Sequence, residues 1–194
     1  DGIIDIAIVG ENLLVEKEKQ VEIIERLGFF KCKVSLAVPK DEVYNSVAFF
    51  NGKKIATSYP KTLSKFLEKN NVQAEIHVIS GSVEISPNIG LADGICDIVS
   101  SGSTLFKNGL KETDIILKSE AVLVKSLKLD SEKESILDRL VFRMKAVIRS
   151  KNSKYILMNV PNSKINEVTS ILPVLKSPTI LPLAQEGWSS LHSV

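Results

Sequence analysis

Asp97 to Leu105, DIVSSGSTL, packs four hydroxyl side chains around a glycine directly after a short apolar run. If that run is a strand and the following residues a helix, the N–H groups of the helix start and its positive dipole end point at the loop. The hydroxyls of Ser100, Ser101, Ser103 and Thr104 can then converge with them on one anion, and Gly102 lets the backbone come close. The same residues equally suit a plain Ser/Thr helix cap. Three other strand ends carry polar groups: Gly10-Glu11-Asn12, Thr57-Ser58-Tyr59 and Ser80 to Glu84. In an open α/β sheet, ligands collect outside the carboxyl ends of the strands, so several such ends on one crevice suit a phosphorylated ligand. Each alone also reads as a turn or cap.

Other chemistries lack their residues. No G-x-x-x-x-G-K-[ST] or G-x-G-x-x-G run is present, which removes the P-loop and dinucleotide fingerprints. Cys32 and Cys96 sit in apolar runs without CxxC spacing or histidine companions, so they read as buried free thiols rather than metal ligands or a disulfide. His77 reads as a core or edge residue, and Trp188 and His192 as packing. Lys+Arg 25 against Asp+Glu 23 leaves a formal charge of +2, so no global field marks a nucleic-acid binder and any phosphate site must be local. No run has the apolar length of a membrane span, and no signal segment opens the chain; the expected compartment is the cytoplasm. Both ends read as truncations, since the chain starts in a turn feeding a strand and stops after strand-like WSSLHSV.

The elements that must position these residues alternate. Ile3 to Val9 reads as a strand covered on both faces in a parallel sheet, and the charged EKEKQ after it as a solvated face. KVSLAV, ending at Pro39, and KKIATS, ending before Tyr59-Pro60, read as strands, with Pro60 well placed to start a helix carrying Leu63, Phe66 and Leu67. AEIHVI and ICDIV follow as strands, GSVE opens a helix-like stretch, and Gly109 closes the helix after DIVSSGSTL. Asp114 to Leu117 and Ala121 to Val124 read as extended. Up to about Lys125 this implies an α/β architecture with a mostly parallel sheet. Ser131 with Glu134 forms a capping-box pattern before a helix that carries Ile136, Leu137, Leu140, Val141, Met144, Val147 and Ile148 on one face. Lys151-Asn152-Ser153 is the linker candidate, after which the order β-α-β-β makes three quarters of a ferredoxin-like unit.

With these residues in view, GLADGICDIVSSGSTLFKNGL (Gly90 to Leu110), NGKKIATSYP, ISGSVEISP, SKYILMNVP and SPTILPLA together resemble the long, histidine-regulated form of the ATP phosphoribosyltransferase family. The resemblance spans essentially the whole chain. It implies two lobes like a type II periplasmic binding protein, with residues 1–28 and 113–150 in the first, incomplete lobe and 29–112 in the second. Residues 151–194 would be a partial ferredoxin-like regulatory domain.

The implied reaction condenses ATP with phosphoribosyl pyrophosphate to N1-(5-phosphoribosyl)-ATP and pyrophosphate, the first step of histidine biosynthesis, with Mg2+ and with histidine as inhibitor. By resemblance, Ser100, Ser101, Gly102, Ser103 and Thr104 would hold phosphoribosyl pyrophosphate, with Asp97 near the ribose hydroxyls. Glu84 would be a second carboxylate beside the ribose or its magnesium, and for both Asp97 and Glu84 a cap or salt-bridge role competes. Glu11, Thr57, Ser58 and Tyr59 are the nucleotide candidates. A homo-oligomer, dimer or hexamer, is implied, with neither nucleic acid nor membrane as partner. The truncated ends imply that this chain alone has little or no activity and exposes an apolar sheet edge. The competing classes are a non-catalytic small-anion binding module on the same fold and a regulatory protein with a degenerate catalytic lobe.

Overall fold

The apolar run that opens the chain becomes strand β1 (Ile6–Gly10), and helix α1 (Glu11–Lys17) follows it without a loop. Strand β2 (Glu22–Arg26) comes next, and the later strand β8 (Ala121–Lys125) lies between the two in a sheet of order β1-β8-β2. Both pairings are antiparallel, and Ile6 and Ile8 are exposed, which corrects the expectation of a doubly covered parallel strand. Apolar residues at successive positions report that both faces are apolar, not that both are covered.

This molecule is represented by a computed structural model that describes residues 4–151, 153–172 and 178–193; Ile3, Asn152 and Val194, each part of a sequence expectation, lie outside them. The chain forms two compact units, Asp1–Asp130 and Ser131–Val194.

The main sheet of the first unit contains β3 (Cys32–Pro39), β4 (Lys54–Thr57), β5 (Glu75–Val78), β6 (Gly94–Val99) and β7 (Leu110–Ser119), in the order β5-β4-β6-β3-β7. Helix α2 (Pro60–Lys69) follows β4, and the short helix α3 (Ser103–Lys107) follows β6. Strand β3 explains the packing. Val34, Leu36 and Val38 enter one core cluster with Phe50, Ile55, Leu63 and Leu67, while Ala37 enters a second with Val83, Ile95, Leu105 and Leu110. Side chains alternate across a strand, so a strand buried on both faces needs a near-continuous apolar run, and Val34 to Val38 supply it with one exception, Ser35, whose hydroxyl donates to Glu112 Oε1 at 2.7 Å. Gly94 opens β6 because Phe50 and the Ala37 carbonyl occupy the space a Cβ would need, at 2.6 and 2.9 Å.

Strand β4 runs parallel to β5 and β6, but β3 is antiparallel to β6 and to β7. The sheet is therefore mixed rather than mostly parallel. Strand β7 leads into β8 through Glu120 alone, so this junction and the segment from β2 to β3 are the two places where the backbone passes between the sheets.

In the second unit, helix α4 (Ser131–Ser150) precedes β9 (Ile156–Pro161), α5 (Ile165–Ile171), β10 (Thr179–Pro182) and β11 (Trp188–Ser193). The three strands form an antiparallel sheet of order β10-β11-β9, the expected β-α-β-β unit. On α4 only Leu137 and Val141 are buried, while Ile136, Leu140 and Val147 are exposed, so the apolar stripe is real in sequence but mostly uncovered.

Candidate active site

Strand β6 carries Asp97 on the same face as Ile95 and Val99, both of which are in the core. A carboxylate on a buried face loses water, and this burial pushes its pKa up, with the Glu84 charge adding to the rise and hydrogen bonds from Ile98 N–H and the Ser58 hydroxyl partly opposing it. Ser58 Oγ donates to Asp97 Oδ1 at 3.1 Å. Glu84 lies in a single 3₁₀ turn, Val83–Ile85, that packs against β6 through Val83. Asp97 thus has Ser58, from a second strand end, in hydrogen-bond contact and the Glu84 charge, from a third, acting on it.

After β6 the chain turns through Ser100 and Ser101 to Gly102, which caps α3 in the left-handed region at φ 74°. No side chain makes a cap hydrogen bond there. Ser101 Oγ and Ser103 Oγ lie 3.0 Å apart and bond to each other, and Ser100, Ser103 and Thr104 are exposed. Nothing lies within 4 Å of the position a Gly102 Cβ would take, so the loop borders open space. The cap position is held by Gly102, which has no side chain, so the expected Ser/Thr cap is not made at this helix.

The end of β4 has a different fate. Thr57 is buried, its hydroxyl donating to the Cys96 carbonyl at 2.6 Å and accepting from Tyr59 N–H at 2.8 Å. Tyr59 is buried too, and its hydroxyl accepts from Asn12 Nδ2 at 2.9 Å. The free amides of Lys61 and Thr62 at the start of α2 are taken by Glu16 of α1, at 3.1 and 2.9 Å, and the Thr62 hydroxyl adds a third bond at 2.8 Å. Of the three nucleotide candidates at this strand end, Ser58 is the one whose side chain hydrogen-bonds Asp97.

Glu11 forms a two-pronged ion pair with Arg26, one prong at 2.6 Å, and this partner holds its carboxyl below the usual carboxylate range. Both line a pocket of about 340 Å3 with Lys31, Lys33, Lys118, Ser100, Ser119 and other residues, so Glu11 and the first serine of the loop share one cavity. The lysines were not singled out from sequence. Lys33 and Lys118 are directly opposed on β3 and β7, an arrangement of like charges that a sheet avoids unless something relieves it, and Glu112 holds Lys33 at 2.7 Å. The spacing of Lys31, just before β3, and Lys33, within it, was a readable signal; the pairing with Lys118, far along the chain, was not.

Two further expectations change. Glu16, read as part of a solvated charge run, is 5% exposed and satisfied by three donors. Cys96 is buried, with its thiol pushed up to about 12 by desolvation, but Cys32 is only half-buried at the pocket wall. His77 sits half-buried on β5 against Glu75 at 2.7 Å, as an edge residue does. Among the described residues, no group of three or more His, Cys, Asp or Glu side chains could hold a metal ion by itself.

Comparison with known proteins turns this geometry into a lineage. The family model for ATP phosphoribosyltransferase matches residues 1–146, and that for the C-terminal domain of the same family matches residues 150–194. The chain belongs to the ATP phosphoribosyltransferase family. It is 58% identical over 193 residues to the ATP phosphoribosyltransferase of Bacteroides thetaiotaomicron and 56% identical over 194 residues to that of Cytophaga hutchinsonii, spanning 68% of each relative. Among solved structures, the HisG:HisZ complex of ATP phosphoribosyl transferase from Thermotoga maritima matches at TM-score 0.67 and 28% identity, over 76% of this chain and 72% of that one. The substrate-binding protein of an amino acid ABC transporter matches at TM-score 0.53 and 17% identity, over 77% of this chain and 65% of that one, and shares the fold only. The two-lobe, periplasmic-binding-protein-like fold class is therefore present here, in an enzyme family, and the reading as a non-catalytic binding module is not favoured.

Proposed function

We propose that this chain carries the phosphoribosyl-transfer site that joins N1 of ATP to C1 of phosphoribosyl pyrophosphate and releases pyrophosphate, the first step of histidine biosynthesis. The observation that carries the reading is the β6 corner, where hydroxyls left free of helix capping follow directly on a desolvated carboxylate. In this reading Ser100, Ser101, Gly102, Ser103 and Thr104 grip the 5′-phosphate and Asp97 accepts from the ribose hydroxyls. As the bond from C1 to pyrophosphate lengthens, positive charge grows on the ribose, and the negative charges of Asp97 and Glu84 oppose it. The purine N1 already carries its lone pair, so the attack needs no protein base.

The pocket of Glu11, Arg26, Lys31, Lys33 and Lys118 supports a polyphosphate beside Ser100, with Arg26 exchanging Glu11 for a phosphate oxygen. Ser58 is retained as a nucleotide or ribose contact, and Thr57 and Tyr59 act by shaping its position. Two carboxylates, Glu84 and Asp97, suit Mg2+, which keeps waters and binds largely through substrate phosphates. When bound, magnesium neutralises charge on the departing pyrophosphate.

The lobes are assigned as 1–28 with 113–150 and as 29–112, and residues 151–194 as the ferredoxin-like regulatory domain through which histidine inhibits. Assembly as a homo-oligomer is part of this reading; the Thermotoga relative is a HisG:HisZ complex, which supports assembly into a larger unit only. A cytoplasmic setting suits these substrates; no helix of the described residues is long and apolar enough to cross a membrane. The test is formation of phosphoribosyl-ATP by the full-length protein from ATP and phosphoribosyl pyrophosphate, with and without histidine. No product under any condition rejects the enzyme reading, and a product insensitive to histidine rejects only the regulatory assignment.

A further inference from the structure

We infer that Asn12 and Glu16 of α1 are positioning residues for Asp97, acting through the end of β4; this rests on the phosphoribosyl pyrophosphate reading of the β6 corner. The two side chains lie one helical turn apart on the same face of α1, and each is 5% exposed. Asn12 Nδ2 holds the Tyr59 hydroxyl at 2.9 Å, while Asn12 Oδ1 accepts from Ser119 Oγ at 2.9 Å and Ser119 Oγ accepts from Asn12 N–H at 3.0 Å. Glu16 takes the Lys61 and Thr62 amides and the Thr62 hydroxyl.

A buried carboxylate is costly unless its charge is met by donors, and here a helix start from the other sheet meets it. Between the two anchors sits Ser58. Its neighbour Thr57 is fixed to Cys96 of β6 and its neighbour Tyr59 to Asn12, so the direction of the Ser58 hydroxyl is set from both sides. That hydroxyl in turn holds Asp97 Oδ1. A loss at α1 is therefore transmitted to the ribose-binding carboxylate without any contact between Glu16 and substrate. It also explains why the start of α2 offers no phosphate site: its amides are already occupied.

The test uses Glu16→Gln and Tyr59→Phe in the full-length protein, with the exposed Glu68→Gln on α2 as control. Two readouts are needed: hydrogen exchange over residues 58–62 and 97–104, and steady-state kinetics with each substrate varied. We expect faster exchange in both segments, and kcat/KM for phosphoribosyl pyrophosphate lower by about tenfold with KM for ATP unchanged, since small misplacements of a binding group cost one to two powers of ten. Tyr59→Phe removes a single bond and keeps the test open if Glu16→Gln fails to fold. Faster exchange confined to 58–62, or exchange that spreads with no loss in kcat/KM, overturns the positioning role. If Asp97→Asn leaves phosphoribosyl pyrophosphate binding intact, the substrate reading fails instead, and exchange at 97–104 still decides whether the joint reaches Asp97.

Discussion

The ends of β4 and β6 look alike in sequence, TSYP and SSGST, each a strand running into hydroxyl residues and then a helix. Their fates are opposite. At β4 the polar groups are taken up by the protein: the Thr57 hydroxyl by the backbone, the Ser58 hydroxyl by Asp97, the Tyr59 hydroxyl by Asn12, the amides of Lys61 and Thr62 by Glu16. At β6 the hydroxyls bond one another or face open space. A hydroxyl-rich strand end marks either a structural joint or a ligand site, and what separates them is whether another element arrives with a complementary group.

The largest effect that sharpens this contrast is expected from Asp97→Asn. Removing one charge aimed at a developing cation should lower the rate by about a hundredfold to a thousandfold. Stability should move the other way. The Asp97 pKa is raised from 3.8 in the folded state, so its contribution is fully present below that value and is lost as pH rises through the raised one. The uncharged amide of the Asp97→Asn variant does not suffer that loss, and urea titrations should find the variant equal to the parent at acid pH and more stable at neutral pH. Equal stability at both would remove desolvation of Asp97 from the account.

Thr57→Val should be next, with stability falling rather than rising. It strands a buried N–H and a carbonyl, a loss of about 1–3 kcal/mol in urea unfolding, and, because it frees one side of the Ser58 joint, it should also lower kcat/KM for phosphoribosyl pyrophosphate by about tenfold. A comparable loss in kcat/KM without loss of stability would make Thr57 a ligand contact after all. The double substitution Ser101→Ala with Ser103→Ala should leave stability within about 0.5 kcal/mol, as for exposed surface changes, yet weaken phosphoribosyl pyrophosphate binding by about tenfold, measured by calorimetry. Gly102→Ala should lower stability in urea unfolding by about 1–2 kcal/mol because its backbone sits at φ 74°, although no atom obstructs the new methyl.

The β6 corner and strands β3, β4 and β6 were legible because each rests on local pattern: an apolar run for a strand covered on both faces, Pro60 for a helix start, glycine for a left-handed turn. Strand direction was not, since a buried run reads the same whether its neighbour is parallel or antiparallel, and β3 therefore entered as part of a mostly parallel sheet. Glu16 was misread for a related reason. EKEKQ has the composition of a solvated face, and only the arrival of Lys61 and Thr62, some 45 positions later in sequence, makes burial of one of its acids tolerable. Likewise the exposed Ile136, Leu140 and Val147 show that a helical stripe states what could be covered, not what is.

The single-residue passage at Glu120 has a mechanical meaning. The two sheets of the first unit are joined by backbone at that point and at the segment between Arg26 and Cys32, and Glu120 draws the two together by accepting from Gly28 N–H at 2.9 Å. Bodies tied at two neighbouring points keep one rotation, about the line through the ties. Glu16 grips α2 six residues beyond Gly10, about 9 Å along α1 at the helical rise, and so supplies a third tie away from that line. Asn12 with Tyr59 and Glu18 with Lys61 and Lys65 add to it, and none of these ties is covalent. An opening about this axis therefore breaks hydrogen bonds and ion pairs of α1 and its C-cap while both backbone passages stay intact.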